Sequence, residues 1–360
     1  MSKYSISTIS LLFFYFVLQT HAQYFSGKVQ DEKGNPLEGA NVYFDATNLG
    51  VITGKGGNFK IEIPEIKNTL LVIRFLGYET LYISNLENNN QTYILQPKNN
   101  ELEEVFLSKS IFSREALLNV FKREFLGNTK NGRNCKIINE DAIRIKFDAN
   151  SNTINAFSNE DLIVINSKLN YKIRFNLVDF EAQLTYQNLA NKYVQQSFFY
   201  GTSFFENVAK HKNKHHKRRE KAYSGSIQHF FRALYTSRLE QNNFTVAKNG
   251  FRVSPKDVFQ IDKSNHIYKL HLGKSDAQKN SALFERMGKE TPYIFKVILL
   301  YKNKYQTDIK FTTKAIHFDE FGNYSPVEHV LLIGEMAKHK LGEMLPSNYK
   351  YEQHTSKNIN

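Results

Sequence analysis

Eleven residues, HKNKHHKRREK from His211 to Lys221, gather the densest set of chemically able side chains in this chain. His211 and His215 stand four apart, so a helix would put both on one face, as a two-histidine metal pair requires. A metal ion there would lack a third ligand and would sit among Lys214, Lys217, Arg218 and Arg219, whose charges repel it. The expectation is therefore no metal. Either the segment is a solvated basic loop or helix start, or Lys214, Lys217, Arg218 and Arg219 meet an anionic surface.

Other chemical patterns are thinner. His317-Phe318-Asp319-Glu320 has the His-x-x-Glu spacing of a zinc pair, but only His329, His339 and His354 follow, too near in sequence to supply a distant third ligand. Ser347-Asn348-Tyr349-Lys350 matches Ser-x-x-Lys without companion motifs, and no Gly-x-Ser-x-Gly elbow occurs. Gly50 to Gly56 resembles a phosphate loop at first sight. Only Val51, Ile52 and Thr53 separate Gly50 from Gly54-Lys55, Gly56 replaces the magnesium-binding hydroxyl, and the following Phe59 to Ile63 alternates like a strand. No catalytic residue and no cofactor is expected. Phe199, Tyr200 and Phe204 are candidates for stacking a ligand, with core packing as the plainer role.

The elements that must position these residues are mostly strands. Between residues 23 and 97, Phe25, Val29, Val42, Phe44, Phe59, Ile61, Ile63, Leu71, Ile73, Phe75, Leu81, Ile83, Tyr93 and Leu95 fall on period-two alternations broken by Gly, Asn and Pro. That pattern predicts a β-sandwich ending at Pro97. Residues 98–130 form a connector and a helix, capped by Ser113, striped by Leu117, Phe121 and Phe125, and ended by Gly127. From 131 to 360 alternation returns, with one helical stripe over Ser226 to Asn242, so a larger antiparallel β-rich domain with one or two helices is expected.

Composition narrows the class. The 360 residues include 29 Phe, 20 Tyr and no Trp, with 41% apolar content, which suits a mainly β chain of two domains. Residues 1–22 carry one cation at Lys3, an apolar run from Ile9 to Leu18 and Thr20-His21-Ala22, the order of a secretory signal cut after Ala22. Cys135 is the single cysteine, so no internal disulfide can form, and it is read as a buried small hydrophobe. The net charge of +13 invites nucleic acid, but export argues against it and favours anionic lipid, acidic glycan or an acidic protein partner.

Phe25 to Leu81 resembles the carboxypeptidase regulatory-like domain. Gly27-Lys28-Val29, Asp31 with Gly34-Asn35-Pro36-Leu37, Gly39-Ala40-Asn41-Val42, then Gly50, Thr53, Gly57-Asn58-Phe59 and Leu76-Gly77-Tyr78-Glu79 follow its motif in order. Gly54 departs from it, since the family usually carries Asp there. The resemblance implies a transthyretin-like, seven-stranded-type Greek-key sandwich that is an accessory module without catalytic residues, found beside zinc carboxypeptidases and at the front of outer-membrane receptors. The functional expectation is a non-catalytic envelope protein, periplasmic or outer-membrane associated, that binds a partner or holds an assembly together. Two alternatives stand beside it: an accessory component of a TonB-dependent uptake system with a barrel partner, and a hydrolase built on the C-terminal domain.

Overall fold

A computed structural model describes residues 23–64, 69–87, 89–98, 111–208, 215–248, 250–264, 267–272 and 295–351. Residues 1–22, expected to be a secretory signal, and the candidates His211 and Lys214 lie outside them.

The first unit is the expected sandwich. One sheet has the order β4 (Asn58–Glu62), β1 (Tyr24–Asp31), β7 (Gln91–Leu95), and the other β3 (Gly50–Ile52), β2 (Asn41–Phe44), β5 (Leu71–Arg74), β6 (Leu81–Ile83). β1 and β7 run parallel, and the other pairs are antiparallel. Alternate residues point inward because the pleat has period two, so Phe25, Val29, Val42, Phe44, Phe59, Ile61, Leu71, Ile73, Tyr93 and Leu95 form one core.

Helix α1 (Arg114–Leu126) begins where Ser113 Oγ accepts the Ala116 amide at 3.2 Å, and it stops at Gly127, whose φ of +89° suits glycine. Its Leu117, Phe121 and Phe125 stripe lies on a six-stranded sheet, with the Phe121 and Phe180 rings 4.7 Å apart and those of Phe125 and Phe175 5.2 Å apart. That sheet runs β8 (Cys135–Ile137), β11 (Leu162–Asn166), β12 (Tyr171–Leu184), β10 (Thr153–Ser158), β9 (Ile143–Asp148), and β13 (Val194–Asn207) pairs with β12 along its length. In β12, Tyr171, Ile173, Phe175 and Leu177 point inward at odd numbers, and Phe180, Ala182 and Leu184 at even numbers. The phase changes at a bulge between Leu177 and Asp179, where the extra residue, Val178, faces outward.

Beyond it the chain forms α2 (His216–Tyr223), α3 (Ile227–Tyr235) and the single turn α4 (Pro255–Val258). The helical stripe expected to reach Asn242 stops at Tyr235, because Ser237 takes φ +55° and Arg238 donates back to the Ala233 carbonyl at 2.8 Å. A second apolar cluster fills the space between α3 and two sheets. One has the order β15 (Phe251–Val253), β14 (Phe244–Lys248), β18 (Phe295–Tyr301), β19 (Tyr305–Phe311), β22 (Val330–Gly334). The other has the order β16 (Gln260–Ser264), β17 (Ile267–His271), β20 (Ala315–Asp319), β21 (Tyr324–Ser325). The molecule is mainly β throughout. The chain then returns to the first cluster through Leu341 and Leu345, so the described residues of the 131–360 span pack mainly around two separate apolar clusters.

Candidate binding cleft

The sandwich is fixed to the six-stranded sheet by a short piece of strand addition. Ala46 donates its amide to the Ser203 carbonyl at 2.8 Å, and Phe205 donates to the Thr47 carbonyl at 2.9 Å. Ser203 in turn donates its amide to Asp45 Oδ1 at 2.7 Å. Beneath this seam the Tyr43 and Phe204 rings meet at 5.4 Å, and the Arg174 guanidinium lies 4.7 Å from the Phe204 ring centre. A Cβ on Gly50 would stand 2.5 Å from the Phe204 ring, which gives that signature glycine a packing reason.

Beside the seam the two units leave a cleft of about 620 Å³. That volume is within the roughly 300–1,000 Å³ of small-molecule sites. One wall is the sandwich: Arg74 at the end of β5, the loop Phe75 to Thr80, and Tyr82 on β6. The other is the six-stranded sheet: Phe157 to Asp161 at the end of β10 and just after it, and Arg174 with Asn176 to Val178 on β12 at its bulge. Arg74 Nη1 stands 3.1 Å from Asp161 Oδ1, joining the two walls, and Arg74 Nη2 donates to the Asn159 carbonyl at 3.3 Å. Arg174 Nη1 donates to Asn41 Oδ1, and Asn176 Nδ2 donates to the Tyr82 hydroxyl at 3.2 Å.

Burial sets the electrostatics. Loss of water raises the Asp161 carboxyl above its ordinary value although Arg74 and Arg174 pull it down. Burial also raises Asp45, to about 6, against its hydrogen bonds from the Ser203 and Ala46 amides. Desolvation pushes the Tyr82 phenol up as well, with Arg74 opposing.

The residues singled out from sequence are dispersed. Lys217 and Arg218 are exposed on α2, but Arg219 turns inward. Its guanidinium lies 3.9 Å from the Tyr171 ring centre and donates to the Leu169 and Asn170 carbonyls at 2.8 and 3.1 Å, so it is committed to packing. Phe204 is buried in the seam and Phe199 packs half-buried on Phe125 at 4.9 Å. Of the three candidate aromatics, Tyr200 has an exposed ring. His317 and Glu320 are exposed on and just after β20, while Asp319 between them is buried in a turn. Among the described residues no group of three or more His, Cys, Asp or Glu is placed to hold a metal ion. Cys135 is buried and its thiol is pushed up to about 12, chiefly by desolvation. The cleft itself was missed; its sequence signal was the signature Leu76-Gly77-Tyr78-Glu79, which forms part of one wall.

A family model of the CarboxypepD_reg-like domain matches residues 25–107, and the sandwich is a domain of that kind. The chain is also similar to TonB-dependent receptor P3 of Formosa agariphila, at 36% identity over 81 residues. The match covers 22% of this chain and 8% of the receptor, so the chain spans a small part of that relative.

Proposed function

We propose that the protein is a non-catalytic binding protein of the cell envelope, exported by cleavage after Ala22, whose binding site is the cleft between the regulatory-like sandwich and the six-stranded sheet. The observation that carries this reading is the cleft's construction. Both walls are fixed by the seam at Asp45 to Thr47, and polar and aromatic side chains from the two units converge there without a nucleophile–base pair. The regulatory-like domain and the chain's likeness to a TonB-dependent receptor support the location.

Hydrogen exchange tests the site. Added soluble envelope extract is expected to slow exchange in both 75–80 and 157–161; protection confined to other segments overturns the cleft. N-terminal sequencing of the protein from a Gram-negative host tests export, with Gln23 expected as the new first residue and an intact Met1 as the contrary result.

A second reading, an accessory part of a TonB-dependent uptake system, is favoured by the 36% identity to such a receptor. Crosslinking in intact cells separates the two, because this reading requires an outer-membrane barrel in the crosslinked product. Exposed Lys217 and Arg218 support an additional contact with an anionic glycan or lipid surface, which salt would weaken. Stoichiometric zinc or hydrolytic turnover in the purified chain would overturn the non-catalytic part.

A further inference from the structure

The chemistry of the cleft narrows what it can hold. Its charged lining consists of Arg74, Arg174 and Lys98 against Glu79, Glu160 and Asp161. These charges balance, and Arg74 is already paired across the cleft with Asp161. A multiply charged ligand finds no surplus field there to replace its hydration.

Tyr82 is held at both ends. Its backbone belongs to β6 and its hydroxyl accepts from Asn176 on the opposite wall, yet the residue remains 44% exposed. An amphipathic ring immobilised in this way offers a face for contact at little further entropic cost. Val178, pushed outward by the β12 bulge, and Leu76 on the rim are exposed apolar surfaces beside it, 42% and 81% accessible. Flat polar groups complete the walls, among them the amides of Asn41 and Asn159 and the guanidinium groups.

A fixed aromatic face among planar donors and acceptors is suited to a ring with one apolar C–H face and a rim of hydroxyls. A peptide bound by strand addition would need a strand edge to pair with. The edge strand at this cleft, β6, spans only Leu81–Ile83, and very short edge strands are poor templates for strand addition.

We infer that the cleft takes a neutral saccharide, a short stretch of glycan chain lying with a sugar ring against Tyr82. This inference rests on the cleft being the binding site.

The test is calorimetric titration of the mature chain with four neutral hexasaccharides (cello-, malto-, manno- and xylohexaose), hexagalacturonate, and a pool of uncharged, end-blocked hexapeptides. Wild type is compared with Tyr82→Ala, Tyr82→Phe and Val178→Arg, each checked for an unchanged melting curve. At least one neutral hexasaccharide is expected to bind. Tyr82→Ala should weaken it about tenfold or more, Tyr82→Phe by only a few fold, and Val178→Arg should block it. Binding of hexagalacturonate or peptide alone, lost in the same variants, overturns the neutral-saccharide assignment and leaves the cleft as the site. Saccharide binding that all three variants leave unchanged overturns both. If no probe binds, the saccharide assignment falls, and the exchange experiment decides the site separately.

Discussion

The same five-residue turn occurs twice in this molecule, as Asp31-Glu32-Lys33-Gly34-Asn35 at the end of β1 and as Asp319-Glu320-Phe321-Gly322-Asn323 at the end of β20. The local bonds are the same. Asp31 Oδ1 accepts the Lys33 and Asn35 amides at 2.9 and 2.8 Å, and Asp319 Oδ1 accepts those of Phe321 and Asn323 at 2.9 and 2.9 Å. In each, the asparagine side chain donates to the other carboxylate oxygen, and the glycine takes positive φ, +83° at Gly34 and +78° at Gly322. Yet the carboxyls shift in opposite directions. Asp31 faces water and is lowered, first by its bond from the Asn35 side chain. Asp319 is 4% exposed and is raised by desolvation, which outweighs the same hydrogen bonds. A turn is written in five residues; its electrostatics is written by whatever packs on it.

What packs on the second turn is α3 and the returning C-terminal segment, and Arg232 holds them together. Its Nε donates to the Phe321 carbonyl at 2.9 Å, Nη2 to Ser347 at 2.7 Å and Nη1 to Tyr349 at 2.8 Å. The first turn has no such clamp among the described residues. Arg232→Ala should therefore give a loss of about 3–4 kcal/mol in urea unfolding, from charged hydrogen bonds lost and three carbonyls left unpaired. Arg232→Lys should recover less than half, since one ammonium cannot reach three separate acceptors in a fixed fork. A loss under about 1 kcal/mol would remove the distinction between the turns.

The two glycines sharpen the contrast. A Cβ on Gly34 meets nothing within 4 Å, while one on Gly322 would stand 2.4 Å from the Gln228 carbonyl oxygen of α3. Both alanine variants carry the left-handed strain of about 1–2 kcal/mol, and Gly322→Ala adds about 1–3 kcal/mol of overpacking. Equal losses in the two variants would show that the backbone of α3 yields freely at the second turn.

These cases show what was legible in the sequence. Alternation, the Ser113 cap and the Gly127 stop are local features, and each was read from neighbours within a few positions. The cleft draws on Asn41, residues 74–82, residues 157–161 and residues 174–178, which docking alone brings together. No periodicity links them. Arg219 differs from its expected place for the converse reason, since a cation in a basic run has the same sequence whether it faces water or a Tyr171 ring, while Phe204 takes the plainer of its two expected roles, in the core.

A smaller effect, with a sign that depends on pH, again opposes the two regions. Burial lowers His229 on α3 to about 4 from 6.5. The ring accepts the Gly225 amide at Nδ1, so Nε2 carries the proton toward Asn242 Oδ1 at 3.0 Å. The folded state then binds fewer protons than the unfolded chain between pH 4 and 6.5, and stability falls as pH drops through that window. Asp45, in the sandwich seam, is raised to about 6 from 3.8. Its folded form binds more protons than the unfolded chain between pH 3.8 and about 6, so stability falls as pH rises through that window and the cost is complete above it. Asp45→Asn keeps an acceptor for the Ser203 amide and removes that cost, so it should stabilise by about 1–2 kcal/mol at pH 7.5 and not at pH 4. His229→Gln should flatten the acid limb instead. Urea midpoints at the two pH values separate them; an Asp45→Asn gain larger in acid would reverse the assigned sign.

The smallest expected effect lies at Gly54, in the turn that carries the chain from β3 in one sheet to β4 in the other, where the motif of the domain family is broken. Gly54 donates its amide to the Asn58 carbonyl at 3.0 Å and accepts from Gly57 at 2.8 Å, so the backbone of the turn is already closed. Its φ lies outside the left-handed region and an added Cβ meets nothing within 4 Å. Gly57, three residues on, has φ +73° and would place a Cβ 2.3 Å from the Val29 carbonyl oxygen. One turn therefore contains a glycine that the fold requires and one that it does not. Gly54→Asp should gain up to about 0.5–1 kcal/mol by restricting the unfolded chain, with a carboxylate placed beside turn amides as Asp31 is. Gly57→Ala should instead lose about 2–3 kcal/mol, as strain and a backbone clash combine. A fall in melting temperature for Gly54→Asp would mean that position 54 needs glycine for a reason other than φ or space.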